Sequence, residues 1–169
     1  NNALQARTSL ALIKFAQSIQ CSATGQLDDV WAEFSKIVDD STALGTYPVE
    51  RLSDLVHEFG QHIDSPVFDA LYDKVVEVVR QRRSEGEAGA AYSERGAQKL
   101  RQGKPYDAIQ WFGRAEELLV KEEYRAELAS ALVGSSFAYE RVGLLWAARN
   151  KVLVAVERNL AIFLNDGKV

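Results

Sequence analysis

Residues 103 to 119 read GKPYDAIQWFGRAEELL, and this stretch decides the predicted fold. Gly103 can adopt the left-handed backbone that ends a helix, and Pro105 suits the first turn of the next one, where a missing N–H costs nothing. Apolar residues then recur at the spacing of an amphipathic helix, namely Ala108, Phe112 and Ala115. The stretch therefore predicts a turn followed by a helix that begins at Pro105.

The same pattern returns 40 residues further along the chain. Gly143 stands where Gly103 stood, and the spacing from turn glycine to last alanine is unchanged. The second set consists of Gly143, Ala148, Val152 and Ala155. Another helical stretch precedes each glycine and carries a small residue, Gly96 or Ser136, at the equivalent place, where small side chains let two helices approach closely. Two hairpins of helix, turn glycine and helix are therefore predicted.

Between residues 88 and 164 the chain resembles the tetratricopeptide-repeat family. The residues of the first copy that carry the resemblance are Tyr92, Gly96, Gly103, Ala108, Phe112 and Ala115. The resemblance implies antiparallel helical hairpins stacked as a right-handed solenoid, in which Phe112 and Ala115 face the next hairpin. The sequence departs from the family at Arg95, where leucine is usual, and at Lys99, where tyrosine is usual. The step between copies also exceeds the family's usual length of about 34 residues.

The rest of the chain has helical periodicity and no convincing strand. Breaks between helices are expected at residues 21–26, 40–47, 62–65, 84–86, 102–104, 121–123 and 142–143. They divide the chain into about eight helices, and Pro48, Pro66 and Pro105 each mark a helix start. We therefore expect an all-α fold of stacked antiparallel hairpins. Residues 1–84 are expected to form degenerate hairpins as the N-terminal half of the same solenoid, and residues 85–169 two tetratricopeptide-like repeats with the last helix as a cap.

Composition and charge narrow the class of protein. The formal net charge is -4 with both signs spread along the chain, so no basic face for nucleic acid is expected. No apolar run approaches the about 20 residues of a spanning helix, so no membrane association is expected. Trp31, Trp111 and Trp146 are expected to pack in the core and not to stack on bases. The single cysteine, Cys21, fits a reducing, cytoplasmic compartment, and the lack of methionine points to a portion of a longer, bacterial-type polypeptide.

His57 and His62 raise the question of a metal site, because zinc proteases carry two histidines one helical turn apart. At the spacing found here the two side chains would diverge by about 140° on a helix, so they cannot share one ion. We expect His57 to point inward and His62 to lie near a helix C-terminus. No cysteine-family signature surrounds Cys21, and no glycine-rich phosphate loop is present. The sequence accordingly predicts no enzyme activity, no cofactor and no bound metal.

The family resemblance also implies a binding site, because the first helices of successive hairpins line a concave groove in such solenoids. By this analogy the groove residues are Ser93, Ala97, Leu100, Arg101, Val133, Phe137, Glu140 and Arg141. Ser93, Ala97, Val133 and Phe137 supply none of the cations that a clamp for a terminal carboxylate requires. We expect apolar contact with a peptide or partner helix, and selection of acidic partners by the two arginines.

Three classes of function stay open at this point. The leading hypothesis is a protein-interaction scaffold within a multidomain signalling or defence protein. The second is a helical regulatory domain that senses a small ligand, which requires a closed apolar pocket with a few converging polar groups. The third is a helical hydrolase built around His57 and His62 with nearby acids such as Asp54 and Glu58.

Overall fold

The structure, a computed structural model, describes residues 2–20, 24–44, 54, 57–58, 60 and 63–166. Within these ranges the chain is helical with short turns and contains no strand, which confirms the predicted all-α class. The helices are α1 (Asn2–Gln20), α2 (Thr24–Leu44), α3 (Pro66–Arg82), α4 (Glu85–Arg101), α5 (Pro105–Leu118), α6 (Arg125–Arg141) and α7 (Leu145–Asp166), with a 3-10 turn (Glu122–Tyr124) before α6. The helix predicted to start at Pro48 falls largely outside the described residues.

Proline marks the start of two helices as the sequence predicts. Helix α3 begins at Pro66 and α5 at Pro105. The first turn of α3 also carries Asp69, and the hydroxyl of Ser65 accepts a hydrogen bond from the amide of Val67 at 3.2 Å. A carboxylate and a hydroxyl at a helix N-terminus satisfy amides that have no partner within the helix. The local sequence therefore explains where this helix starts.

The two turn glycines end their helices in the same way. Gly103 has φ +77° and Gly143 has φ +79°, the left-handed conformation that the sequence predicts. In the first turn the amide of Gly103 donates to the carbonyl of Leu100 at 3.1 Å, and the amide of Lys104 to that of Lys99 at 2.9 Å. The second turn repeats both bonds 40 residues later, from Gly143 to Glu140 and from Leu144 to Tyr139. This pair of bonds is the Schellman motif, so the two copies share their turn geometry as well as their sequence pattern.

Some predicted boundaries are wrong. Helix α2 starts at Thr24 and runs to Leu44, so residues 24–26 and 40–44, which the sequence assigns to breaks, are helical. Arg7 of α1 forms ion pairs with Glu33, in the middle of α2, and with Asp40, nearer its C-terminal end, and these pairs hold α2 against α1.

The break predicted at residues 84–86 is also too wide. Ser84 caps α4 by accepting a hydrogen bond from the amide of Glu87 at 3.1 Å, and the helix includes Gly86. The ring of Tyr124 occupies the space that a side chain at Gly86 would need. Close packing against Tyr124 therefore requires glycine at this position, and Gly86 does not break the helix.

The chain divides into two compact units, Asn1–Val78 and Val79–Val169. In the first unit the indole of Trp31 forms the centre of an aromatic core. Its ring centroid lies 4.9 Å from that of Phe15 on α1 and 5.0 Å from that of Phe68 on α3. Aromatic pairs at these separations stabilise a core beyond the area that they bury. Trp31 of α2 therefore joins α1, α2 and α3, the helices that the structure describes in this unit.

The second unit contains both predicted hairpins. Helix α4 packs on α5, α6 packs on α7, and α6 also lies against both α4 and α5. A buried cluster joins α5, α6 and α7, and its members are Ala115, Leu119, Leu128, Ala131, Leu132 and Ala155. The small residues Ala115 and Ala155 are fully or almost fully buried in it. The stacking of hairpins into a solenoid, and its continuation through residues 1–84, stay predictions.

Two of the buried side chains on α4 are cationic. Arg95 and Lys99, the positions at which the sequence departs from the family, have essentially no solvent exposure. The guanidinium of Arg95 donates a hydrogen bond to the amide oxygen of Gln98 at 2.8 Å. The aliphatic stems of arginine and lysine supply apolar volume, and a buried charged head group needs polar partners such as Gln98. The departures from the family pattern therefore keep a large side chain at each place.

Candidate functional site

A cleft of about 420 Å³ separates α4 from α6. Helix α4 lines it with Ala90, Ser93, Glu94 and Ala97, α6 with Glu127, Ser130, Val133, Gly134 and Phe137, and α5 with Phe112. Phe112 is buried, whereas Phe137 is 54% exposed and Val133 40% exposed. Phe112 therefore forms the floor of the cleft, and the two exposed residues offer apolar surface to a ligand.

Glycine shapes the floor of the cleft. A Cβ atom on Gly134 would lie 2.5 Å from Cε1 and Cζ of Phe112, and a Cβ on Gly96 would lie 3.0 Å from the same ring. Phe112 also packs with Ala108 of α5 and Ala138 of α6. The ring can reach between α4 and α6 because neither helix has a side chain at the point of contact. The prediction that Phe112 faces the next hairpin agrees with this geometry.

Half of the predicted groove residues line the cleft. Ser93, Ala97, Val133 and Phe137 are among its lining residues, and Leu100, Arg101, Glu140 and Arg141 are not. Leu100 is half-buried and packs against Phe112 and its neighbours. Arg101, Glu140 and Arg141 lie at the C-terminal ends of α4 and α6, beyond the last residues that line the cleft.

The charge of the cleft differs from the sequence-based expectation. Glu94 and Glu127 line it, one from each helix, and no arginine or lysine does. Arg101 lies beside the cleft, where its guanidinium donates to the carboxylate of Glu94 at 2.9 Å. The lining therefore presents negative charge beside apolar surface, which does not favour the acidic partner expected from Arg101 and Arg141.

The lining residues that sequence reasoning missed follow a helical spacing that is present in the sequence. Ala90 and Ser130 each lie three residues before a predicted groove residue, and Glu94 lies four after Ala90. Residues three and four apart share one face of a helix, so the stripe continues toward the N-termini of α4 and α6. The family analogy instead extends the predicted groove toward the C-termini of α4 and α6, where Leu100 packs against the cluster that contains Phe112.

The metal and thiol candidates can be placed only where the structure describes them. His57 is half-buried, and its Nδ1 shares a hydrogen bond with the hydroxyl of Tyr72 at 2.9 Å. His62 and Cys21 lie outside the described residues. The described part of the chain contains no group of three or more metal-binding side chains, and none of its helices is long and apolar enough to cross a membrane.

The three tryptophans do not behave alike. Trp31 and Trp111 are buried as predicted, and the guanidinium of Arg114 lies 4.8 Å from the ring centroid of Trp111. Trp146 is 75% exposed, so the prediction that it packs in the core is wrong. It stands in the first turn of α7, where the guanidinium of Arg149 on the same helix lies over its ring.

We compared the chain with known protein families, curated proteins and solved structures. No protein-family model, no curated protein and no solved structure matches the chain. Function is therefore argued from the cleft between α4 and α6 and from the side chains that line it.

Proposed function

We propose that the chain is a protein-interaction scaffold of the tetratricopeptide kind, and that the cleft between α4 and α6 binds a peptide or a partner helix. The activity is binding without catalysis. A cytoplasmic location belongs to the proposal, because a chain with Cys21 as its only cysteine gains no internal disulfide in an oxidising compartment.

The arrangement of the helices in the second unit supports this function. Helices α4 and α6, the first helices of the two hairpins, lie beside each other, and α5 packs behind them with Phe112 between. Equivalent Schellman turns at Gly103 and Gly143 give both hairpins the same reversal. A hairpin that repeats in this way buries its apolar face by stacking on the next, and the first helices then share one open surface.

The single observation that carries the proposal is the exposed apolar surface within the cleft. Phe137 is 54% exposed and Val133 40% exposed, although both belong to a helix with buried neighbours on its other faces. Exposed aromatic side chains in a concave surface are typical anchors of protein interfaces. A small-ligand pocket instead encloses most of its ligand. The open cleft favours a peptide or helix over a sensed small molecule.

The charge of the lining indicates which partner fits. Glu127 places a carboxylate on α6 among small and apolar side chains, whereas the carboxylate of Glu94 on α4 is already paired with Arg101. Complementary charge steers association and selects partners. We therefore expect a partner segment that presents an apolar residue to Phe137 and carries lysine or arginine beside it.

A random peptide library displayed on phage tests this function, because it samples many candidate partner segments at once. Peptides enriched on the native chain are synthesised, and their affinities are measured for the native chain and for Phe137→Ala. We expect enrichment of sequences with apolar and basic residues, and a loss of about tenfold or more in affinity for Phe137→Ala. Glu127→Gln should weaken binding by about threefold, with a smaller effect at high salt.

Tyr106→Ala is the matched control. Tyr106 is an exposed aromatic residue on α5 that does not line the cleft, so its replacement should leave the affinity unchanged. Peptides that bind Phe137→Ala and the native chain equally well would contradict the proposed site. If acidic peptides are enriched and their binding depends on Phe137, the cleft is the binding site but its proposed preference for basic partners is wrong.

A further inference from the structure

Helix α7 carries an apolar face that the structure leaves exposed. The exposed large apolar residues on it are Leu145, Trp146, Val152, Leu153, Val156 and Leu160. At 100° per residue these six positions fall within an arc of about 120°, over roughly 22 Å of helix. Ala155, on another side of the same helix, is buried in the core of the second unit. The arc is therefore a distinct surface, separate from the face that holds α7 to α6.

Two charged residues interrupt this apolar face in a regular way. Arg149 lies four residues before Leu153, and Glu157 lies four residues after it. Both are exposed, and the guanidinium of Arg149 lies over the ring of Trp146, 5.4 Å from its centroid. The face therefore has a positive charge toward its N-terminal end and a negative charge toward its C-terminal end.

The apolar face of α7 is complementary to the same face of a second copy that runs in the opposite direction. If two copies of α7 cross antiparallel about a two-fold axis at Leu153, Arg149 of each copy faces Glu157 of the other. Trp146, seven residues before Leu153, then faces Leu160, seven residues after it. Leu153 faces its own counterpart on the axis. A two-fold interface requires this kind of self-complementary patch.

We propose that the apolar face of α7 pairs two copies of this chain as an antiparallel homodimer. The pairing covers Trp146, Leu153, Val156 and Leu160 with apolar surface, and it forms two equivalent ion pairs between Arg149 and Glu157. A contiguous exposed apolar face with charged residues beside it is typical of an interaction surface, whereas single exposed apolar residues are not. No residue of α7 lines the cleft between α4 and α6, so the inference goes beyond the proposed function and does not depend on it.

Sedimentation velocity of the full chain over about a hundredfold range of concentration tests the pairing. We expect the native chain to shift from monomer to dimer as its concentration rises. Val156→Glu should sediment as a monomer throughout, because it places a carboxylate in the centre of the apolar face. Tyr106→Glu adds the same charge to another exposed site and should dimerise like the native chain. Far-UV circular dichroism checks that each variant stays helical.

Charge reversal distinguishes a second copy from any other occupant of this face. Arg149→Glu alone and Glu157→Arg alone each place like charges opposite one another, so each should weaken its homodimer by about tenfold. An equimolar mixture of the two variants should form a heterodimer. One variant then carries two negative charges on this face and the other carries two positive charges, so both pairs across the interface are attractive. A native chain that is monomeric at every concentration, dimerisation of Val156→Glu at native strength, or no heterodimer in the mixture would each overturn the proposal.

Discussion

The ring of Phe112 lies so close to Gly134 that a Cβ atom at that glycine would come within 2.5 Å of two ring carbons. The same ring also borders Gly96, where a Cβ would lie 3.0 Å away. Phe112 belongs to α5, Gly96 to α4 and Gly134 to α6. One aromatic side chain therefore sets the spacing of three helices and forms the floor of the cleft between two of them.

Gly134→Ala tests this contact through stability. Alanine gains about 1 kcal/mol of helix propensity over glycine, but forcing extra volume against a confined ring costs about 1–3 kcal/mol. Because Phe112 is also bounded by Gly96, the ring has little room to move. We expect a net loss of about 1 kcal/mol in the free energy of unfolding, measured by urea denaturation with circular dichroism.

Gly113→Ala is the matched control for this substitution. Gly113 lies inside α5 beside Phe112, and a Cβ there would meet nothing within 4 Å. The variant should therefore gain about 0.5–1 kcal/mol from helix propensity alone. Equal stabilisation by both substitutions would contradict the confined position of the Phe112 ring.

The turn at Gly143 allows a second prediction. Its φ of +79° is strained for any residue with a Cβ, and no atom within 4 Å would obstruct a side chain. Gly143→Ala should therefore destabilise the protein by about 1 kcal/mol through backbone strain alone. Gly143→Asn should cost less, because asparagine tolerates the left-handed conformation better than alanine. If the two variants unfold at the same urea concentration, backbone strain is not the cause.

The ion pair between Lys151 and Glu116 gives a third prediction. It joins α7 to α5, and the two side chains are only 27% and 17% exposed. The second carboxylate oxygen of Glu116 is buried and has no hydrogen-bond partner among the described residues. Lys151→Met would leave this carboxylate without its ammonium partner, so we expect a loss of about 1–3 kcal/mol in the free energy of unfolding.

An exposed ion pair serves as the control for Lys151. Glu122 is 82% exposed in its pair with Arg125, where solvent screens the charges. Glu122→Gln should therefore change the free energy of unfolding by less than about 0.5 kcal/mol. Similar urea midpoints for Lys151→Met and Glu122→Gln would show that burial does not strengthen the Lys151–Glu116 pair.

The pH dependence of stability tests the contact between Glu85 of α4 and Lys121. The ammonium of Lys121 lies 2.6 Å from the carboxylate of Glu85, and this hydrogen bond lowers the pKa of Glu85 and raises the pKa of Lys121. A carboxyl group with a lowered pKa stabilises the folded state above its ordinary pKa, and loses this contribution as the pH falls.

Lys121→Met should therefore be less stable than the native chain at neutral pH. The difference should shrink as the pH falls from about 4.3, the ordinary pKa of a glutamate side chain, through the lowered pKa of Glu85 in the native chain, because only below that lowered pKa is Glu85 protonated in both proteins. Urea denaturation at neutral and at acidic pH measures the difference. A difference that persists unchanged at acidic pH would mean that Lys121 acts through its aliphatic stem and not through Glu85.

Local sequence signals predict much of this fold because they act within one helical turn. Pro66 and Pro105 fix helix starts through their missing N–H, and Gly103 and Gly143 fix helix ends through their left-handed backbone. The resemblance to tetratricopeptide repeats adds the orientation of Phe112 toward the next hairpin, which helical phase alone does not give.

Features that depend on tertiary packing are not predictable from the sequence in the same way. Gly86 resembles a helix breaker because its role, making room for Tyr124, exists only once the hairpins meet. The cleft is shifted toward the N-terminus of α4: its lining runs from Ala90 to Ala97, whereas the repeat analogy predicts Ser93 to Arg101. The analogy does not say where α4 and α6 separate. Helical phase alone assigns Trp146 to the core, although nothing described in the chain packs against that face of α7.

The central claim is that α4, α5 and α6 meet on one ring, so that the two hairpins stack with a cleft between their first helices. NOE spectroscopy on the full chain, with Phe112, Gly96 and Gly134 assigned, tests it most directly. We expect cross-peaks from the ring protons of Phe112 to the α-protons of both Gly96 and Gly134. Cross-peaks to Gly96 of its own hairpin without any to Gly134 of the next would contradict the stacking and the cleft that depends on it.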